Sequence, residues 1–198
     1  MAIIVDKVQK RKDIALSCRA LFLTNNLKDI TISQIAKTAG VSKGSIYDYY
    51  ANKEEILFEL VNILMQVHDE SKELKLRSAT STKEKIRLFS DFFYDEKCED
   101  LRELYKAFLS INLVARNEEM MEFQTGCFHK YLNWMHQIIE EGISKGELIP
   151  EAKLLAKGMF CSADGLFLAA STSHAIDNIQ EDLDTFINVI FQLIEVKK

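Results

Sequence analysis

Proline and glycine are scarce: 198 residues contain one Pro and seven Gly. Hairpins and strand connections use such turn formers often, so the shortage excludes a mainly β architecture and points to helices. No apolar run reaches 18 uninterrupted residues, which argues against a transmembrane helix. The amino-terminal apolar stretch in MAIIVDKVQKRKD is too short for a signal peptide. The four cysteines, Cys18, Cys98, Cys127 and Cys161, form no CxxC pair. They read as free thiols in a reducing cytoplasm. An excess of positive charge is also missing, since 25 basic and 30 acidic residues leave a net charge of −5. At face value that argues against nucleic acid. What is present is 47% hydrophobic residues in a chain long enough for a real core, which excludes a disordered protein.

The charge is unevenly distributed. Residues 1–52 hold eight basic and four acidic residues, whereas the remainder holds 17 basic and 26 acidic. A +4 head on a −9 body suggests that the two parts meet different partners. Hydrophobic spacing predicts a first helix over about Val8–Thr24, stopped by Asn25-Asn26. Thr31 followed by Gln34 forms a capping box, with Ile30 and Ile35 as its staple. That helix is short, because Gly40 sits where a left-handed cap is wanted. Ser42 opens a second short helix, Lys43–Tyr49, with Val41 and Ile46 at the staple positions. Asn52, with Glu55, then caps a long helix from Lys53 to about Lys75. Further helices are predicted over 81–93, 99–117, 120–145, 151–173 and 182–196.

Two short helices joined by a tight turn fit a helix-turn-helix. Ala36 is small where the helices cross, Gly40 tolerates positive φ in the turn, and Val41 and Ile46 clamp the second helix onto the first. Such a unit presents its second helix to the DNA major groove. The run TISQIAKTAGVSKGSIYDYYANKEEIL, from Thr31 to Leu57, resembles the DNA-binding signature of the TetR family of bacterial transcriptional regulators. The resemblance implies an all-α protein of about nine helices. It would have a three-helix DNA-binding domain over residues 1–52, continuing into the helix from Lys53, and a helical regulatory and dimerisation domain over 53–198.

The expected DNA-facing residues follow from chemistry and from the resemblance. Thr31 and Ser33 open the first short helix, where hydroxyls and free amides suit a phosphate. Ser42 caps the recognition helix, and Lys43, Gly44 and Ser45 form its first turn. Lys43 can donate to guanine or phosphate, while Gly44 permits close approach without reading a base itself. The resemblance implies phosphate contacts for Tyr47 and Lys53 and a DNA-surface position for Tyr49; Tyr50 is expected to pack between helices.

A half-site with so few base contacts needs a dimer. The helix over 151–173 is apolar around much of its circumference and demands burial on several sides. It and the helix over 182–196 are therefore expected to form a four-helix interface with their symmetry mates. The resemblance further implies a palindromic operator, repression, cytoplasmic location and release by a small hydrophobic or amphipathic inducer. Candidate pocket residues are Phe89, Phe92, Phe93, Tyr105, Phe108, Asn112, Tyr131, Trp134, Met135, Met159 and Phe167. The same residues at helical spacing also suit a plain core.

Polar candidates for orienting a ligand are Asn112, His129, His136 and Asp164, with Asp164-Gly165 reading more readily as a site of close packing. No cofactor or metal is expected: His129 and His136 lie about 10 Å apart along a helix axis, and Cys127 and His129 point differently. No nucleophile–base–orienter spacing supports an enzyme. The alternatives are a ligand-independent or activating regulator of the same type. Outside that type they are a helical enzyme using Cys127/His129 or Asp164, or an interaction module without DNA binding.

Overall fold

The computed structural model describes residues 2–115 and 117–197, with side chains from Lys7 onward. Among these, ten α-helices follow in order: α1 Ala2–Ser17, α2 Arg19–Thr24, α3 Ile32–Ala39, α4 Lys43–Tyr47, α5 Lys53–Ser78, α6 Thr82–Ser90, α7 Glu99–Ala115, α8 Glu118–Ser144, α9 Ala156–Thr172 and α10 Ile179–Ile194. Counting α1 and α2 as one interrupted helix gives the nine expected. The described residues contain no strand, only the isolated bridge between Leu148 and Glu195. The protein is all-α.

Several boundaries moved for identifiable reasons. The first helix begins earlier than Val8 and breaks at Cys18. There the Ser17 hydroxyl donates to the Ile14 carbonyl at 2.7 Å, and the Cys18 amide shifts to Ala15 at 3.1 Å. Such back-bonding competes with the helical ladder. The predicted helix over 81–93 ends at Ser90 and continues as the 3-10 turn Asp91–Phe93. The segment after Pro150 starts as a 3-10 turn, Pro150–Leu155, before α9. The last helix starts at Ile179, three residues before the predicted Asp182. Its cap is Asn178, whose Oδ1 accepts the Glu181 amide at 3.2 Å. Asn178 followed by Glu181 was the available signal.

The chain forms two compact units: residues 1–69 with 100–120, and residues 70–99 with 121–198. In the first, Ile14, Cys18, Ile35, Ile46, Tyr50, Leu57, Leu60, Leu104 and Phe108 form a buried core. In the second, Ile86 and Phe89 of α6, Met135, Ile138 and Ile139 of α8, Met159 and Phe160 of α9, and Ile187, Phe191 and Ile194 of α10 are buried together. The second unit also contains a buried ion cluster. Lys72 donates to the Leu88 and Phe89 carbonyls at 2.8 and 3.2 Å and to Asp91, whose other oxygen accepts from Lys75 at 2.9 Å. The ammonium thereby satisfies carbonyls that the end of α6 leaves open. Burial pulls the Lys72 pKa down, and Asp91 opposes that pull.

The stretch Pro150–Thr172 is long and apolar enough, by length and composition, to cross a membrane, with mean hydropathy 1.3 over an 18-residue window. The requirement of an uninterrupted run excluded it because Lys157 and Asp164 lie inside. Its Ala156, Met159 and Phe160 belong to the core of the second unit.

Close approach of α6 and α8 depends on one glycine. A Cβ on Gly142 would lie 2.4 Å from the Thr82 hydroxyl oxygen and 2.9 Å from its methyl, and Thr82 is buried. Overpacking a filled core costs about 1–3 kcal/mol. Gly142→Ala is expected to lower the unfolding free energy by that amount in urea denaturation, and Gly142→Ala with Thr82→Ala to recover part of it.

Candidate DNA interface

The first helix of the reading unit, α3, is closed at both ends by local bonds. Thr31 Oγ1 accepts the Gln34 amide at 3.3 Å, and Gln34 Oε1 accepts the Thr31 amide at 2.8 Å. The reciprocal capping box predicted from the sequence is present. At the other end Gly40 takes φ +65°, its amide donates to Lys37, and the Val41 amide donates to Ala36 at 3.0 Å. That is a Schellman stop, which a side chain at Gly40 would strain. It turns the chain directly into the cap of α4.

Ser42 caps α4 by accepting the Ser45 amide at 3.0 Å, and the two hydroxyls lie 2.9 Å apart. Helix α4 is shorter than predicted, ending at Tyr47, with the Tyr49 and Tyr50 amides both turned to the Ile46 carbonyl. Ile46 and Ile35 are fully buried and Ala36 nearly so, which clamps α4 on α3. The opposite face is open. Thr31, Ser33, Ser42, Lys43, Gly44 and Tyr47 are exposed, and Ser45 and Tyr49 half-buried. Tyr47 is a large side chain 54% exposed, in a position with no folding role.

Behind this face Tyr50 is buried, as expected, and is held by a partner that the sequence reading missed, Arg11. Its hydroxyl donates to the Arg11 carbonyl at 2.7 Å. Arg11 returns the contact, donating from Nη1 to the Tyr49 carbonyl at 2.9 Å and stacking its guanidinium 4.4 Å above the Tyr50 ring. Glu59 sits 3.5 Å from Arg11 Nε. Burial, and then the Glu59 charge, push the Tyr50 phenol well above its usual pKa, so it remains a neutral donor. The sequence showed Arg11 only as one of several basic residues in α1, with no signal for its partner.

Lys53 has a similar place. Its ammonium donates to the carbonyls of Leu27, Lys28 and Ile30 at 2.5, 3.1 and 2.8 Å. All three protons are engaged in holding the turn Leu27–Asp29 that leads into α3. Asn52 and Glu55 close the start of α5: Asn52 Oδ1 accepts the Glu55 amide at 2.8 Å, and Glu55 accepts the Ala51 amide at 2.9 Å.

Residues 18–60, which contain this whole assembly, match the family model described as bacterial regulatory proteins, tetR family. Over this segment the chain is similar to the TetR family. It is a DNA-binding transcriptional regulator. It is 27% identical over 172 residues to the fatty acid metabolism regulator protein of Bacillus subtilis, covering 86% of each chain. It is 25% identical over 134 residues to the transcriptional regulator QacR of Staphylococcus aureus, covering 65% of this chain and 68% of that one. In fold it is similar to a transcriptional regulator from Saccharomonospora viridis solved with choline, with TM-score 0.78, 15% identity, and 96% and 100% of the two chains covered.

The candidate pocket residues are divided between the units. Tyr105, Phe108 and Asn112 lie in the first, where Phe108 stacks on Tyr105 and on Phe58 with centroids 6.0 Å apart. Asn112 Oδ1 is buried without a hydrogen-bond partner. Phe89, Phe92, Phe93, Tyr131, Trp134, Met135, Met159 and Phe167 lie in the second. Trp134 lines a groove of about 180 Å³ with Leu76, Ile138 and the ion-paired Lys85 and Glu141. His129 is exposed and His136 half-buried. Among the described residues no group of three or more His, Cys, Asp or Glu could hold a metal.

Gly44 has no steric role inside the fold. A Cβ there would meet only the Ser42 hydroxyl oxygen, at 3.7 Å. The protein itself therefore does not require glycine, and Gly44→Ala should gain about 0.5–1 kcal/mol of helix stability. The expected outcome is an unchanged or raised Tm together with weaker operator binding in a gel shift. Unchanged binding would show that Gly44 does not approach the DNA closely.

Proposed function

We propose that this protein is a homodimeric repressor that binds a palindromic operator and is released by a small-molecule effector. The observation that carries the DNA part is the preformed open face of α4, capped by Ser42 and clamped through Ile46, with Lys43, Gly44 and Tyr47 turned outward. Lys43 is assigned to base edges or phosphate, Tyr47 and Tyr49 to the backbone, and Thr31, Ser33, Ser42 and Ser45 to phosphate approach at the two helix starts. Lys53 adds positive charge beside these, but its bonds to three carbonyls make its main role the support of α3. Residues 1–52 then form the reading domain and 53–198 the regulatory and dimerisation domain.

Unmatched apolar surface supports the dimer. Only 28% of the hydropathic window within Pro150–Thr172 is buried in the protomer. Leu154 and Leu168 on this stretch and Val189, Leu193 and Val196 on and after α10 are exposed. Two copies packing about 151–173 and 182–196 as four helices would cover them. Such a dimer sets two recognition helices about 34 Å apart, one DNA turn.

Small-molecule control rests on relatives: one is named for fatty acid metabolism and a structural neighbour holds choline. An effector favouring another spacing would act through α5, which contributes residues to both compact units. No catalytic step is part of the proposal, and the cytoplasm, where an operator lies, is the proposed location.

The test is a salt-dependent gel shift on the DNA upstream of the chain's own gene. Lys43→Ala and Tyr47→Ala should each weaken binding by about 1–3 kcal/mol, with a shallower salt slope for Lys43→Ala. No binding at low salt, or binding indifferent to both changes, refutes the assignment. Leu193→Glu, at a position 67% exposed in the protomer, should give monomers in sedimentation velocity, leave far-UV circular dichroism unchanged, and lose operator affinity. A Leu193→Glu protein that stays dimeric and fully active puts the interface elsewhere.

A further inference from the structure

The recognition helix ends in an acid that the fold does not use. Asp48 follows Tyr47 directly and keeps helical backbone angles, φ −70° and ψ −19°, so it extends the face of α4 by one position. It stands four residues after Gly44 and five after Lys43, and Lys43, Gly44, Tyr47 and Asp48 are all exposed. Among the described residues its carboxylate makes no hydrogen bond and no ion pair. Its charge also falls at the carboxyl-terminal end of a helix, where the dipole favours a cation. Nothing among the described residues therefore calls for an acid at this position.

The length of α4 keeps the acid within reach of bases. Its five residues span about 7.5 Å, less than the roughly 12 Å width of a major groove. A helix this short, with its start against base edges, does not carry its end out past the phosphates. A carboxylate only accepts hydrogen bonds, and the DNA backbone offers it acceptors and like charge. Two groups in the major groove donate, cytosine N4 and adenine N6. The adenine amine sits beside the N7 acceptor, which repels a second carboxylate oxygen, whereas cytosine carries no acceptor on its own edge. Guanine O6 and N7, the partners of cytosine, suit the ammonium of Lys43. Opposite charges on one short face thus match the two halves of a guanine–cytosine pair, in one pair or in neighbours.

We propose that Asp48 is a specificity-determining residue that accepts a hydrogen bond from the N4 amine of a cytosine in the bound DNA. This rests on DNA reading by α4 and names a base that one further residue selects. On any sequence without that cytosine the carboxylate is left unpaired close to phosphates, so it discriminates by repulsion as well as by attraction.

The test is fluorescence anisotropy of the full chain, Asp48→Ala and Asp48→Asn on the DNA upstream of the chain's own gene. The DNA is narrowed to the bound segment, and each of its base pairs is replaced in turn. For the wild type, replacing one cytosine–guanine pair should weaken binding about tenfold or more. Asp48→Ala should lose about tenfold on the parent sequence, become indifferent to that replacement, and keep the wild-type response at every other position. Asp48→Asn, whose amide both accepts and donates, should shift the preference at that position toward adenine. Asp48→Ala should melt no lower than the wild type, because the side chain it removes is exposed.

A uniform rise in the affinity of Asp48→Ala, for the bound segment and random DNA alike, overturns the inference, since the acid then only repels phosphate. A wild-type response to every replacement in Asp48→Ala overturns it too. Both results leave DNA reading by α4 standing. That reading falls together with the inference if Lys43→Ala, Tyr47→Ala and Asp48→Ala all bind every sequence as the wild type does.

Discussion

A helix of five residues cannot hold itself. Nucleating α4 fixes several dihedrals for very few internal hydrogen bonds, so Lys43–Tyr47 is helical only because its neighbours impose it. The rest of the reading head is organised around that constraint. Ser42 and the Gly40 stop fix where α4 begins. Ile46 fixes which face is buried. Beyond its end, the Tyr49 carbonyl is held by Arg11 and the Tyr50 hydroxyl is held against the Arg11 carbonyl. Lys53 secures the turn before α3 through three more carbonyls. The outward residues Lys43, Gly44 and Tyr47 of α4 are left exposed on its open face.

The same device recurs in the second unit. Lys72 caps the open carbonyls of α6 as Lys53 caps those of the Leu27–Ile30 turn. Both lysines belong to α5, one in each compact unit. A charged donor bonded to backbone carbonyls is sensitive to small displacements, because a shift of an ångström breaks a bond that water replaces only at the surface.

The fold was legible where the chain punctuates itself. Thr31 with Gln34, Gly40, Ser42 and Ser81 marked helix ends that the structure keeps. The break at Cys18 was not legible, because it comes from a serine bonding backward inside an apolar stretch. Nor was the Arg11–Tyr50 pair, whose partners lie 39 residues apart and carry no local pattern. Lys53 was readable as a cation but not as a cation already engaged. For the candidate pocket residues the difficulty was different: aromatic residues at helical spacing look the same whether they fill a core or line a cavity.

Charge makes the same point on a larger scale. A total of −5 conceals a reading head of +4 and a body of −9. The head is positive enough to approach phosphate, and an acidic body disfavours contact of the remaining surface with DNA, limiting non-specific binding. Within that acidic body several carboxylates serve the fold. Asp91 and Asp95 hold Lys75, Glu141 holds Lys85 and Lys145, and Glu147 accepts the buried Thr82 amide.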